Sequence, residues 1–290
     1  MNTTRSFIVA AREPVSARSA FERARLLARA GDRIVLAPVE RGGFLQLLGE
    51  GELRHAIPDG QLSNWTSTSW LEELGRSIDT DPSVTVETVL LRGEPAVAIG
   101  DYARSIGAAA IIVAAHREGV VREIVIGSTT LRILRHAPCP VVVTRRGPVR
   151  EYRKAVAAVA LDPAAERVIE ATLGLLPEAE LTLLHVYRIP NESRWRINDV
   201  GEKALLEPIR KHLQAEAEHE MAKLHTLAPL AKVSLQYGFA ASEIFSLVLR
   251  EWSDVLVISQ HRGSLRHERA IGSVPQFLLY NCLCDLVLVP

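Results

Sequence analysis

No strongly apolar run in the 290-residue chain exceeds eight residues, Ala108 to Ala115. A helix that crosses a membrane needs about 20, so no spanning segment is predicted. The N-terminal apolar patch, Phe7 to Ala11, runs straight into Arg12 and Glu13 and is too short for a secretory hydrophobic segment. Cysteine is scarce. Cys139, Cys282 and Cys284 cannot frame a disulfide scaffold, which predicts reduced thiols and a cytoplasmic protein. A charge excess is also missing: Lys+Arg and Asp+Glu are both 34, and the pI is about 7.1. Nucleic-acid binders that neutralise phosphates carry a basic surplus, so neither nucleic acid nor membrane is expected as a partner.

The common catalytic signatures are lacking as well. There is no Gly-x-Ser-x-Gly elbow and no Gly-x-x-x-x-Gly-Lys-Ser/Thr loop. Gly49-Glu50-Gly51 lacks the third glycine of a dinucleotide fingerprint, and His219-Glu220 has no second histidine for a zinc motif. Cys282-x-Cys284 is too closely spaced for a redox pair; these cysteines suit a helix end and a strand start in the core. No catalytic residue is assigned, and a non-enzymatic role is expected.

What is present is a core and a repeat. Hydrophobic residues make up 48% and charged residues 23%, as in folded soluble proteins, and the length fits two domains. His116 and His261 lie 145 positions apart, half the chain. The same offset relates Arg117 to Arg262, Gly127 to Gly272, Ser128 to Ser273, Gly93 to Gly238 and Cys139 to Cys284. This is a tandem duplication, with domains over 1–147 and 152–290. Between them the basic stretch 145–154 reads as a solvated linker.

Each half alternates strand and helix. Strands are predicted at Phe7–Ala11, Ile34–Val39, Val84–Leu91, Ala110–Ala114 and Pro140–Thr144. Their counterparts are Ala155–Leu161, Leu181–Val186, Lys232–Tyr237, Val255–Ser259 and Asp285–Val289. Ser16–Ala30 places Ala20, Phe21, Ala24, Leu27 and Ala28 on one helical face, with Gly31 as a left-handed cap. Strands apolar throughout argue for parallel sheets covered on both faces. The predicted class is α/β: two tandem, doubly wound, open parallel five-stranded sheet domains. A short amphipathic helix is expected around Trp65, Trp70, Leu71 and Leu74, and a long charged one over Ala204–Leu227. His212, Glu216 and His219 share a face of the latter; a solvated surface is favoured over a metal site there.

Ligands of such sheets bind beyond the carboxyl ends of the strands. Gly127-Ser128-Thr129-Thr130 and Gly272-Ser273-Val274 open helices there, where free N–H groups and the helix dipole favour phosphate. Ser128 and Ser273 acting simply as helix caps is the equal alternative.

His136-Ala-Pro-Cys-Pro-Val-Val-Val-Thr144, with Gly127-Ser128 before it, resembles the universal stress protein family, and the repeat extends the resemblance to both halves. It implies the adenine nucleotide alpha-hydrolase-like fold, with the halves paired through their last strands as a pseudo-dimer; a homodimer is left open. It also implies a stress-response role through a small-molecule or nucleotide ligand, or a protein partner. Many family members bind ATP through Gly-x-x-Gly, nine residues, then Gly-Ser or Gly-Thr, with an Asp after the first strand. Here the glycine places hold Ala114, Arg117 and Gly127 in the first half and Ser259, Arg262 and Gly272 in the second. The acid place holds Arg12 and Asp162, respectively.

Arginine removes the conformational freedom of glycine but is itself a good phosphate ligand. Arg117 and Arg262 thus either block the pockets or hold an anion in them. Arg12 cannot accept a hydrogen bond from a ribose, so ATP, if bound, is expected mainly in the second half. The candidate ligand residues are Leu161, Asp162, Val186, Ser259, Arg262, Gly263, Gly272, Ser273 and Val274. Their weaker first-half equivalents are Val39, Ala114, Arg117, Gly127, Ser128 and Thr129. Asp162 before Pro163 also suits a helix cap.

Overall fold

Short apolar runs form the central strands, whose burial explains why they carry no polar alternation, whereas the edge strands Thr85–Thr88 and Lys232–Tyr237 are half-exposed and do alternate. The computed structural model describes residues 4–11, 14–40, 82–115, 126–145, 149–190, 192, 202–260 and 271–290. The chain divides into two compact units, one reaching to Glu151 and one covering Tyr152–Val289.

The first unit begins with β1 (Ser6–Ala11), α1 (Pro14–Leu27) and β2 (Arg33–Glu40). β3 (Thr85–Thr88), β4 (Leu91–Arg92), α2 (Pro95–Ile106), β5 (Ala110–Ala114), α3 (Ser128–His136) and β6 (Val141–Thr144) follow. Its strands lie in the order β3-β2-β1-β5-β6, with all printed pairs parallel, for example Val9 with Leu36 and with Ile112. All of β5 is buried. Both of its faces are therefore covered, as a parallel sheet requires. α1 buries Ala17, Ala20, Phe21 and Ala24, a stripe at helical spacing. Gly31 follows at φ +86° and its N–H donates to the Ser83 carbonyl at 2.9 Å. The predicted strand Val84–Leu91 is interrupted at Val89–Leu90: it borders only β2, and Leu90 is 47% exposed where the chain leaves the sheet edge.

The second unit runs β7 (Lys154–Ala158), α4 (Ala164–Leu175), β8 (Glu180–Tyr187), α5 (Glu202–His225) and β9 (Lys232–Tyr237). It ends with α6 (Ala240–Glu251), β10 (Val255–Ser259), α7 (Ser273–Asn281) and β11 (Asp285–Val289). Its order, β9-β8-β7-β10-β11, repeats the topology of the first. From α2 to α3 and from α6 to α7 the 145-residue register holds element for element.

The stretch read as a solvated linker is partly anchored. Tyr152 is buried and donates to the Asp285 carboxylate at 2.7 Å, while Arg23 donates to the Arg150 carbonyl at 2.6 Å. The expected helix around Trp65, Trp70, Leu71 and Leu74 lies outside the described residues. On α5, His212, Glu216 and His219 are exposed, and among the described residues no three His, Cys, Asp or Glu side chains converge as metal ligands. Cys282 and Cys139 are buried, and burial pushes the Cys139 thiol up to about 12.

Two local choices in α6 run against the helix's own stability. Glu94, at the cap of α2, accepts the Val97 N–H at 3.0 Å, but its register partner Phe239 caps α6 without a side-chain bond. At the other end Gly107 takes φ +59°, which glycine tolerates, whereas Trp252 takes φ +53°. The left-handed region costs a bulky residue about 1–2 kcal/mol, and Trp252 is 86% exposed. Trp252→Gly is therefore expected to stabilise the dilute protein by about 1 kcal/mol, read as a rise in the denaturation midpoint at low protein concentration.

Candidate phosphate-binding sites at the strand carboxyl ends

In the second unit the helices connect from β7 outward to one edge through β8 and from β10 to the other through β11. The crevice at such a switch point lies between β7 and β10, neighbours through Ala158 and Ile258. Two loops leave it. The one after β7 carries Leu161, 36% exposed, and Asp162. The Asp162 carboxylate accepts the Ala164 N–H at 2.9 Å and its carbonyl accepts the Ala165 N–H at 3.0 Å. That is the capping arrangement which the Asp-Pro pair allowed, and it leaves the carboxylate with further acceptor capacity. Val186, registered with Gln236, stands one residue before the end of the neighbouring strand. His185 bonds the Val159 carbonyl at 2.9 Å and so fixes the start of the loop.

The loop after β10 begins at Ser259, half-buried, and Gln260, 2% exposed. Gln260 holds both sides of this corner. Its N–H donates to the Val289 carbonyl at 2.7 Å, and its carbonyl accepts the Gly272 N–H at 3.0 Å. Its side-chain Nε2 is buried with no hydrogen-bond partner among the described residues. Arg262 and Gly263, like Arg117 and Arg12 of the first half, lie outside the described residues. Beyond the loop Gly272, at φ −63° and ψ 158°, is the N-cap, and Ser273 and Val274 are the first helical residues of α7.

The first unit repeats this corner after β5. Ala114 ends the strand, Ala115 donates to the Thr144 carbonyl at 2.9 Å, and Val39 lies near the end of β2. Gly127 caps α3 at φ −61° and ψ 148°, followed by Ser128 and Thr129. The idea that Ser128 and Ser273 cap these helices is corrected. The glycines occupy the cap positions and no side-chain cap bond is made, so both serines are first-turn residues with exposed side chains.

Neither glycine is required by the fold. Both φ values suit any residue, and a Cβ on Gly127 would meet nothing within 4 Å. What glycine supplies is an unobstructed helix N-terminus, whose first N–H groups have no intrahelical acceptor. Two features that sequence reading passed over separate the corners. Pro275, third in α7, has no N–H, so that helix offers one donor fewer than Ser128-Thr129-Thr130. Gln260, where the first half has Ala115, adds an orphaned amide; a polar residue closing an apolar strand was its only sequence signal. Asp162 and Gln260 thus enrich the second corner, and the hydroxyl-rich α3 start enriches the first.

The comparisons fit this architecture. Solved structures similar over nearly the whole chain include a protein of unknown function from Pseudomonas aeruginosa PAO1, 16% identical, TM-score 0.67, covering 99% of this chain and 92% of that one. Another is a putative universal stress protein from Pseudomonas aeruginosa UCBPP-PA14, 17% identical, TM-score 0.66, covering 99% and 93%. A third is a universal stress protein from Archaeoglobus fulgidus DSM 4304, 14% identical, TM-score 0.61, covering 100% and 99%. At these identities the likeness establishes the fold. No curated protein matches this chain. The family model of the universal stress proteins matches twice, over residues 4–145 and 151–290. The chain belongs to the universal stress protein family, as a tandem two-domain member with its α/β fold.

Proposed function

We propose that this protein serves the stress-response role of its family by binding a small phosphate-bearing ligand at the carboxyl end of the second sheet, without catalysis and in the cytoplasm. The observation that carries this reading is the pair of glycine-capped helix starts, Gly127-Ser128 and Gly272-Ser273, the second bonded to the end of its buried strand through the Gly272 N–H and the Gln260 carbonyl. In the second unit the ligand would lie among Leu161, Asp162, Val186, Ser259, Gly272, Ser273 and Val274. Arg262 and Gly263 belong to the intervening loop by sequence. The Arg262 guanidinium supplies the charge that the glycine-rich loop of other members supplies through backbone N–H groups. No helix of the described residues is long and apolar enough to cross a membrane.

ATP is the second reading. Asp162 favours it, since a carboxylate after the first strand can accept hydrogen bonds from a ribose. Native mass spectrometry of freshly purified protein is expected to show a copurified phosphate compound. Thermal melting is expected to shift upward with that compound, by an amount equivalent to about 2.7 kcal/mol at 100 times its Kd. Arg262→Gly should abolish the shift. If the variant instead gains a shift with ATP and magnesium, the arginine blocks the pocket and the anion-site reading is wrong.

A further inference from the structure

The internal repeat provides a control for surface chemistry, because two helix pairs with the same register and topology can be compared position by position. On the α2–α3 face of the first unit stand Arg104, Gly107, Arg132, Arg135 and Pro138. Arg104 pairs with Asp101 at 2.7 Å and Arg132 with Glu94 at 3.2 Å, an ordinary solvated surface. At the same register positions in the second unit stand Leu249, Trp252, Phe277, Tyr280 and Leu283. They are 44%, 86%, 40%, 38% and 61% exposed. The acidic partners are gone too, since Asp101 becomes Ser246 and Glu94 becomes Phe239.

These side chains form one patch. Phe245 and Leu249 on α6 and Trp252 at its C-cap recur at i, i+4 and i+7, beside the stripe of buried Ile244, Leu247 and Val248. Phe277 and Tyr280 recur on α7, opposite Pro275, Leu278 and Leu279. Phe245 meets Phe277 edge to face at 6.2 Å between ring centroids, which joins the two rows. The fold does not need this patch, because the first unit closes the same helix pair with arginine and glycine. Trp252 holds an unfavourable backbone conformation while burying little of its ring. A local rule broken without gain inside the chain points to a use outside it.

We infer that the α6–α7 face of the second unit is a self-association surface, on which a second copy of this chain docks about a two-fold axis. From Gly272 to Cys284 no residue is charged, so the face can be set against itself without like-charge repulsion. Selecting a different partner normally relies on charge patterns that this face lacks. The five exposed side chains offer on the order of 500 Å² of apolar surface, the core of a standard interface of about 800 Å² per partner. The inference is independent of any ligand at the strand ends.

The test uses sedimentation velocity of the full chain over a range up to about 100 μM. The expected mass rises from that of the 31.9 kDa chain to twice that value. Trp252→Gly, which relieves the backbone, and Tyr280→Arg, which installs the residue of the first half, are each expected to weaken the dimer at least about 100-fold. Neither should lower the melting midpoint of the dilute protein. A wild-type chain that stays monomeric at about 100 μM overturns the inference, and so does a dimer that survives both substitutions.

Discussion

Asp32→Ala is expected to destabilise the first unit by about 3 kcal/mol, a large fraction of a domain's stability. Asp32 is 5% exposed, at the turn between α1 and β2. Its carboxylate accepts from the Arg5 side chain at 2.6 Å and 3.1 Å, from the Arg5 N–H at 3.1 Å and from the Arg29 N–H at 2.8 Å. One carboxylate thus ties the start of β1 to the end of α1. Its removal leaves a guanidinium with 22% exposure and two backbone donors without their acceptor. Such orphaned groups cost more than the bond itself contributed. Arg5 keeps its bond to the Leu27 carbonyl at 3.1 Å, which places the loss at the lower end of the range for broken buried pairs. Hydrogen exchange read on β1 and β2 separately from β7 and β8 checks this, because only the first unit should open more readily.

The same carboxylate makes part of the stability depend on pH. Burial raises the Asp32 pKa, but the hydrogen bonds from Arg5 and from the backbone of Arg29 and Arg5 outweigh it and hold the group below its ordinary value. A depressed folded value means that the stabilisation is fully present above the unfolded pKa of about 3.9 and is lost as the pH falls through the folded one. The gap between wild type and Asp32→Asn should therefore be constant from neutral pH down to about 5, then narrow through and below 4. A gap that widened on acidification would contradict this assignment.

The fold was legible because its central strands are buried and its helices are one-sided. The strands Ala110–Ala114, Val255–Ser259 and Asp285–Val289 stand where hydrophobic runs bounded by glycine, proline or aspartate placed them, and Lys232–Tyr237 stands where the residues before Gly238 read as a strand. A run of apolar residues cannot say where a strand leaves the sheet edge, and so Val84–Leu91 breaks at Leu90. Linker anchoring was hidden for a different reason. The bond between Tyr152 and Asp285 spans 133 positions, and no local pattern records such a partner.

The candidate site was legible only where a residue type carries its chemistry in its name. Gly-Ser before a helix pattern marks a helix start, and Asp162-Pro163 marks a cap, and both are found there. Which residue is the cap depends on backbone angles, and these gave the position to glycine. Gln260 was passed over because glutamine is ordinarily a surface residue. Only burial turns its amide into a group unpaired among the described residues, on a residue whose backbone ties Val289 to Gly272.

Gly100→Phe is expected to cost at least about 3 kcal/mol, although phenylalanine is native at the same register position, Phe245, in the second unit. The reason is the distance between helices. A Cβ built on Gly100 would stand 2.9 Å from the His136 carbonyl oxygen and 3.5 Å from its carbonyl carbon. These are backbone atoms at the end of α3, which cannot swing aside as a side chain would. α2 and α3 approach as closely as they do because nothing projects from Gly100, whereas in the second unit Phe245 is accommodated against Phe277. Gly100→Ala already requires α3 to shift and should cost about 1–3 kcal/mol, offset in part by alanine's better helix propensity of about 1 kcal/mol. The ring of phenylalanine must displace the whole helix. Chemical denaturation followed by hydrogen exchange in α2 and α3 should show this loss confined to the first unit. Phe245→Gly in the second unit should not tighten its helices to the first unit's spacing; it should open a cavity beside Phe277 instead. The two halves share a register of residues but not a packing distance, so a residue native to one need not be tolerated in the other.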